Sequence, residues 1–164
     1  MSIRVFTDAS IRNKALGIGV YSASKRIAGR IMVPESCSTF GETTAVLIGL
    51  YLHSLHHPKS THFTICTDSQ STIDFIRYNR CPDRFVKYVQ AIRHIVALKE
   101  SRVQFEKVKA HSCLPENDQA HRLARIGTTL LEDNTPKYTF KYLDINLPLL
   151  LASSESNISS KKRN

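Results

Sequence analysis

The chain has 164 residues, 41% of them hydrophobic, which predicts one globular domain with a terminal tail. Lysine and arginine outnumber aspartate and glutamate by 23 to 14, and the resulting net charge of +9 favours a polyanionic partner such as nucleic acid. The four cysteines form no CxxC pair, and neither a signal peptide nor a membrane-length apolar run is evident. We therefore expect an intracellular protein, in the cytoplasm or nucleus, without a disulfide framework, a zinc ribbon or a membrane anchor.

The first third of the chain is predicted to form three strands and a helix. Strands are expected over 3–7, 16–22 and 27–33, and the short turns between them favour an antiparallel meander. Apolar residues at three-and-four spacing then predict a helix over 42–55. Glu42 falls in the first turn of this helix, on the face toward the sheet, so it either stabilises the helix dipole or points at a site.

The second half of the chain alternates strands and helices. A strand over 63–67 is followed by a short helix over 69–78, a break at 81–83 and an amphipathic helix that begins near Phe85. A fifth strand over 103–108 leads to an exposed loop with His111, and a last helix over 117–131 carries Asp118 and His121 one turn apart. We expect residues 1–133 to form one α/β domain and residues 134–164 to be a partly disordered, serine-rich extension.

Two of the predicted strands, the first and the fourth, end in similar Thr-Asp sequences that contain Asp8 and Asp68. The chain between them is long enough for a crossover, so the two strands are expected side by side and parallel. Both aspartates would then lie at the carboxyl end of the sheet, where open α/β folds bind their ligands. Two carboxylates in one place repel each other unless a cation lies between them, so the pattern predicts a metal site.

Five motifs, in order, resemble those of type 1 ribonuclease H, and look most like the versions found in reverse-transcribing elements. They are Thr7-Asp8-Ala9-Ser10, Glu42-x-x-Ala45, Thr67-Asp68-Ser69-Gln70, Ala110-His111-Ser112, and Pro115-Glu116-Asn117-Asp118-x-Ala120-x-x-Leu123-Ala124. The resemblance covers about residues 3–131. It implies an α/β, RNase H-like fold, with a five-stranded mixed sheet in the order 3-2-1-4-5 and helices on both faces.

The same resemblance implies hydrolysis of the RNA strand of RNA/DNA hybrids by two divalent cations, usually Mg²⁺. Asp8, Glu42 and Asp68 match the first three metal-binding carboxylates of that family. Such a pair of cations holds the attacking and the leaving oxygen of an in-line displacement, and Mg²⁺ prefers oxygen ligands. His111 matches a catalytic histidine that moves a proton or helps to release product near neutral pH.

His121 stands where the family has its fourth carboxylate, and three interpretations are open. The imidazole is a metal ligand or positions water, or Asp118 one turn earlier takes the role, or the site is degenerate. Because imidazole suits Mn²⁺ better than Mg²⁺, we expect activity to survive with greater relative use of Mn²⁺. An unchanged preference for Mg²⁺ would count against direct ligation by His121.

The substrate-binding residues implied by the resemblance lie in the same motifs and in the loop before Glu42. They are Ser10, Ser38, Thr39, Gln70 and Asn117. The hybrid would be recognised by its shape and by the 2′-hydroxyls of one strand. Because the chain lacks the Trp-containing basic extension of some members, scattered cations would bind the DNA strand, namely Lys14, Arg77, Arg80, Arg84 and Lys87.

Two alternatives from other classes remain. One is a catalytically weakened module that binds nucleic acid through the same fold, and the other is a nuclease of the same superfold that acts on DNA. The resemblance also favours a reverse transcriptase context, and we expect a monomer.

Overall fold

The computed structural model describes residues 2–32, 37–99, 102–110, 113–131, 137–140 and 145–152. Within these ranges a mixed sheet is flanked by four α-helices and one 3-10 turn, Asp83–Phe85. The strands are β1 (Ser2–Arg12), β2 (Ala15–Tyr21), β3 (Arg26–Ile31), β4 (His62–Thr67), β5 (Val103–Lys107), β6 (Lys137–Phe140) and β7 (Ile145–Ala152). The helices are α1 (Ser38–His56), α2 (Gln70–Tyr78), α3 (Val86–Leu98) and α4 (Pro115–Gly127).

The described part of the sheet has seven strands in the order β5-β4-β1-β2-β3-β7-β6. The expected order 3-2-1-4-5 is contained in it, with β1 antiparallel to β2 and parallel to β4. The prediction of five strands was wrong, because β7 pairs antiparallel with the edge of β3, and β6 pairs with β7. Pro148 lies within β7 and has no N–H to donate, but its carbonyl accepts a hydrogen bond from the Met32 N–H.

The helices cover both faces of the sheet. Gly49 of α1 lies against Val20 and Thr7, whereas the neighbouring strand residue Gly19 lies against α4. Since adjacent residues of a strand point to opposite faces, α1 and α4 are on opposite sides of the sheet. The main core fills the side of α1 and α3, with Ile48, Leu50, Phe63 and Ile92 almost completely buried.

Two element boundaries differ from the prediction in ways that affect the site. Helix α1 begins at Ser38, so Glu42 lies in its second turn and the first turn holds no acidic residue. Helix capping therefore does not account for Glu42. Strand β1 continues to Arg12, so Asp8 lies within the strand and not at its end.

The expected extension over 134–164 contains β6 and β7, and residues 153–164 lie outside the described part. Leu147 and Leu149 of β7 are completely buried. Whether residues 1–133 fold as a separate domain stays a prediction. In the described part of the chain, no helix is both long enough and apolar enough to cross a membrane.

Candidate metal centre

Three elements bring three carboxylates together at one end of the sheet. Pairing between β1 and β4 stops at Phe6 and Cys66, and Asp8 and Asp68 each lie two residues beyond that pair. Glu42 reaches the same place from the second turn of α1. One carboxylate oxygen from each residue lies within 4.8 Å of the others. This convergence of Asp8, Glu42 and Asp68 is the arrangement expected from the sequence.

The residue before Glu42 explains how α1 comes so close to β1. A Cβ on Gly41 would lie 2.7 Å from Leu16 Cδ1 and 2.8 Å from Ala9 Cβ, so only glycine allows this approach. The Ala9 N–H then donates to both carboxylates, 2.9 Å from Asp8 Oδ1 and 3.2 Å from Glu42 Oε1. One backbone donor thus holds two acidic side chains in fixed orientations.

Burial and mutual repulsion disfavour the charged forms of the clustered carboxyl groups, so a positive charge would stabilise them. Burial raises the pKa of Glu42 well above its ordinary value, and the nearby carboxylates Asp8 and Asp68 raise it further. Burial also raises the pKa of Asp68, and the charge of Asp8 adds to that effect. Without a cation, ionising Glu42 and Asp68 is therefore harder than ionising isolated carboxyl groups, and a bound cation would offset that cost.

The residues present fit a hard divalent cation. Glu42 is 7% exposed, and its Oε2 atom is buried without a hydrogen-bond partner among the described residues. A buried polar atom left unpaired is costly, and a cation would satisfy it. The carboxylates line a cavity of about 150 Å³, and carboxylate oxygens are the ligands that Mg²⁺ and Mn²⁺ prefer. Asp8, Glu42 and Asp68 would hold the ion.

His121 of α4 is hydrogen bonded to the cluster. Its Nδ1 atom lies 2.7 Å from Asp8 Oδ2. An ionised carboxylate only accepts hydrogen bonds, so Nδ1 carries the proton and its N–H donates a hydrogen bond to Asp8 Oδ2. A protonated ring nitrogen has no lone pair for a metal, so Nδ1 is not a ligand in this arrangement. Asp118 lines the cavity but is exposed and does not belong to the convergent group.

Helix α4 comes close to Asp8 because the residues of β2 that face the helix are glycines. Gly19 is the cross-strand partner of Asp8, and a Cβ on Gly19 would lie 2.0 Å from the Ala120 carbonyl oxygen. Gly17 and Gly127 make equally close contacts with backbone atoms. The helix therefore lies directly on the strand, and the residue after Ala120 stands beside Asp8.

Of the other predicted site residues in the described part of the chain, some line the cavity and others lie away from it. Asn117 is buried and lines the cavity, whereas the Gln70 side chain donates to Asp74 at 2.9 Å on an exposed surface. Ser38 and Thr39 belong to the first turn of α1 and not to a loop, and Ser10 is half-buried in β1. His111 lies outside the described residues, so its role stays a prediction.

A chain of hydroxyl groups behind the carboxylates had not been predicted as part of the site. Ser69 caps α2 and contacts Thr72 Oγ1 at 2.8 Å, and that atom lies 3.1 Å from Thr43 Oγ1. Because Thr43 follows Glu42 and Ser69 follows Asp68, the chain ties together the two elements that carry these carboxylates. A serine directly before a predicted helix, whose side chain accepts from the backbone N–H three residues later, is the signal that could have indicated it.

Comparison with known proteins accounts for this set of elements. The sequence model of the RNase H family matches residues 1–129, well over half of the chain. The chain belongs to the RNase H family. No curated protein matches the sequence of this RNase H chain.

Solved structures of other RNase H proteins share its fold at low sequence identity. LC11-RNase H1 was isolated from compost by a metagenomic approach. Its structure in complex with an RNA/DNA hybrid has a TM-score of 0.64 at 16% identity. That likeness covers 77% of this chain and 96% of the other. The RNase H domain of rv2228c from Mycobacterium tuberculosis has a TM-score of 0.60 at 16% identity, covering 77% and 93% of the two chains. RNase H1 from Halobacterium salinarum has a TM-score of 0.54 at 11% identity, covering 77% and 97%.

Proposed function

We propose that this RNase H chain is an endoribonuclease that hydrolyses the RNA strand of RNA/DNA hybrids with divalent cations. The observation that carries the proposal is the convergence of Asp8, Glu42 and Asp68 around a buried Glu42 oxygen that lacks a partner among the described residues. In a cluster with a purely structural role, that oxygen would contact a counter-charge or a hydrogen-bond donor. In a metal-dependent phosphodiesterase site, it would bind a cation.

Each side chain of the centre has a defined task in this proposal. Asp8, Glu42 and Asp68 bind the cations, and the Ala9 N–H keeps the first two carboxylates oriented. Two divalent cations, usually Mg²⁺, would activate the attacking water and stabilise the leaving oxygen of the phosphodiester. We propose that His111 and Asn117 assist with proton movement and substrate contact.

The choice of a hybrid as substrate is supported by the fold and by the charge of the chain. The LC11-RNase H1 structure, which shares the fold, holds an RNA/DNA hybrid, and the net charge of +9 of this chain suits a polyanionic partner. Arg84 stands at the end of the α2–α3 connection, with Nη2 3.6 Å from Cys37 Sγ at the start of α1. We propose that it joins Lys14, Arg77, Arg80 and Lys87 in binding phosphates of the DNA strand.

Cleavage of labelled duplexes tests the proposal. With Mg²⁺ or Mn²⁺, we expect cutting of the RNA strand of an RNA/DNA hybrid and no cutting of DNA/DNA or RNA/RNA duplexes. Asp68→Asn removes one cation ligand and should lower the rate by at least about a hundredfold. The matched control is Glu106→Gln, which neutralises an exposed carboxylate on β5 outside the convergent group and should keep the rate. Cleavage of DNA/DNA duplexes, or equal loss in both variants, would contradict the proposal.

The hydrogen bond between His121 and Asp8 favours a second candidate function. A module that binds hybrids without efficient hydrolysis would keep the fold and the basic surface, while an Asp8 oxygen is engaged by an imidazole. This candidate predicts hybrid binding in the same assay without cleavage in either metal. A reverse transcriptase partner in the cell would fit either function, and we propose it as the context for a monomeric, intracellular domain.

A further inference from the structure

We propose that the outer edge of β5 is a docking site for an extended peptide segment of a partner protein, in which a carboxylate side chain stands between apolar ones. The segment would add to the sheet as a further strand. This surface is separate from the carboxylate cluster, since no described residue lines both cavities. The inference therefore goes beyond the proposed function.

A cavity of about 650 Å³, here called the β5 groove, lies between β5 and the helices α2 and α3. Its lining is mostly apolar and comes from all three elements, with Ile73 and Ile76 from α2, Val96 from α3, and Val103 and Phe105 from β5. Val96 and Phe105 are only half-buried. The groove thus presents apolar surface that the side chains of another segment could cover.

Strand β5 is an edge strand of the described sheet, with backbone groups directed outward. The Arg102 carbonyl and the Val108 N–H both bond to backbone groups beside β4. Successive residues of a strand direct their backbone groups to alternate sides, so Val103, Phe105 and Lys107 direct theirs away from β4. Such an edge is a template for another strand, and alternate side chains of that strand would enter the groove.

Arg93 gives the β5 groove a preference for a carboxylate. One of its guanidinium N–H groups donates to the Ile76 carbonyl oxygen in the last turn of α2, where carbonyls lack helical partners. This contact fixes the guanidinium beside the groove, and its other N–H groups can bind a carboxylate in a forked arrangement. Arg77 is the other charged residue in the described lining, which contains no acidic side chain.

Charge and polarity together select the occupant. A second copy of the chain would bring a net charge of +9 and its own Arg93 to the same edge, so it would be repelled. A nucleic acid would place strongly hydrated phosphates over a mostly apolar lining, which is unfavourable. A peptide with apolar and acidic side chains on one face matches the lining and Arg93, while its backbone pairs with β5.

Fluorescence anisotropy with a synthetic peptide and the full chain tests the proposal. The probe is a labelled, capped peptide Ser-Val-Thr-Glu-Thr-Val-Ser, whose valines and glutamate fall on one face of a strand. We expect saturable binding to the wild-type chain, and at least about tenfold weaker binding when glutamine replaces the glutamate. No binding of the glutamate peptide, or equal binding of both peptides, would overturn the proposal.

Arg93→Gln identifies the group that binds the carboxylate. We expect this variant to bind the glutamate peptide as weakly as the wild type binds the glutamine peptide, and to bind the glutamine peptide as the wild type does. Arg122→Gln, at an exposed arginine of α4 on the other side of the sheet, is the matched control and should bind as the wild type does. Equal losses in both variants would show that net charge alone attracts the peptide, and would overturn the proposal.

Methylation of backbone nitrogens in the peptide tests the addition of a strand without changing the protein. Because alternate residues of a strand direct their N–H groups to opposite sides, methyl groups on one alternate set of residues should abolish binding. Methyl groups on the other set should leave it largely intact. Equal effects of the two sets would overturn strand addition.

Two measurements examine the other occupants. Self-association of the wild-type chain in sedimentation, reversed by the glutamate peptide, would assign the edge to a second copy and overturn the proposal. An affinity for RNA/DNA hybrid that falls in Arg93→Gln and not in Arg122→Gln would assign the groove to nucleic acid and overturn it as well. We expect a monomer, and the same hybrid affinity in both variants.

Discussion

Individual buried ionisable residues set how the stability of this protein responds to pH. Glu42 has a raised pKa because it is buried beside two other carboxylates, and His53 has a lowered pKa because it is buried as a neutral ring. The two shifts act in opposite directions. The free energy of unfolding is therefore expected to pass through a maximum between acid and alkaline pH when no metal is present.

The first prediction concerns Glu42→Gln in a metal chelator. A raised pKa means that the folded state holds the proton more tightly than the unfolded state, so stability falls as pH rises from the ordinary value toward the folded one. Replacing Glu42 by a neutral amide removes this loss. We expect the variant to have a higher Tm than the wild type at pH 8 and a similar one at pH 4.

Thermal unfolding with and without Mg²⁺ is the measurement. The cation should raise the Tm of the wild type and have much less effect on Glu42→Gln. Glu106→Gln, at an exposed carboxylate on β5, is the matched control and should behave as the wild type does in both conditions. A Glu42→Gln chain less stable than the wild type at pH 8 in chelator would show that the carboxylate is not a destabilising charge.

The second prediction concerns His53, whose pKa is lowered to about 4 mainly by burial. Its Nδ1 lies 2.7 Å from the Gly49 carbonyl oxygen, so Nδ1 donates and Nε2 accepts from the Ser22 hydroxyl at 2.7 Å. As the pH falls below 6.5, His53 becomes protonated in the unfolded state but stays neutral in the folded state. The contribution of His53 to the free energy of unfolding is complete above that pH. It falls by up to about 3 kcal/mol as the pH approaches 4.

His53→Gln should flatten this dependence. An amide does not titrate, so denaturant unfolding of the variant should lose much less free energy between pH 7 and pH 4.5 than the wild type does. His62→Gln, at an exposed histidine on β4, should keep the wild-type slope. Equal slopes for the wild type and His53→Gln would show that His53 is not the group responsible.

At the level of elements, the contact of α4 with β2 decides the geometry of the site. The strand offers Gly17 and Gly19, and the helix offers Ala120 and Ala124, so the two backbones lie in contact. The sequence predicted α4 and β2 separately from periodicity, but nothing in either pattern showed that they touch. The start of α1 was predicted four residues late, since Ser38, Thr39 and Gly41 are weak helix formers.

The third prediction is that Gly19→Ala separates α4 from the sheet. The added methyl group would lie 2.0 Å from a backbone oxygen, which no side-chain rotation can relieve. We expect a loss of about 1–3 kcal/mol of stability and weaker metal binding, as His121 moves away from Asp8. Denaturant unfolding and Mn²⁺ titration measure the two effects.

Gly49→Ala on α1 is the matched control for that substitution. Its methyl group would meet only side-chain atoms, the closest being Val20 Cγ1 at 3.2 Å, and alanine favours a helix more than glycine does. Its stability should stay within about 1 kcal/mol of the wild type. Equal losses of stability in both variants would show that the close backbone contact between α4 and β2 does not make Gly19 more sensitive to substitution than Gly49.

Across the whole molecule, the sheet extends beyond the part that carries the site. Strand β7 covers the edge of β3, and Leu147 and Leu149 are completely buried against the main core. The sheet therefore joins segments from both ends of the described chain. The site lies on β1, β4, α1 and α4, so β6 and β7 contribute to stability and not to the carboxylate cluster.

The fourth prediction is that a chain ending at residue 133 is less stable than one ending at Ala152. Loss of β7 exposes the edge of β3 and removes two buried leucines, each worth about 2–3 kcal/mol of burial. Thermal unfolding should show a clear drop in Tm for the shorter chain. The chain ending at Ala152 keeps both strands and is the control, and equal Tm values would show that β6 and β7 add nothing.

By itself, the sequence predicted the first five strands and the closeness of Asp8 to Asp68, because these follow from local periodicity and from motifs of a few neighbouring residues. Its resemblance to the family implied the strand order and the role of Glu42. Only the tertiary structure decided that His121 donates to Asp8, since the two residues are 113 positions apart and meet through the glycine contact under α4. It also decided that β7 belongs to the sheet. A strand interrupted by proline becomes recognisable only when its partner strand and the core beneath it are in place.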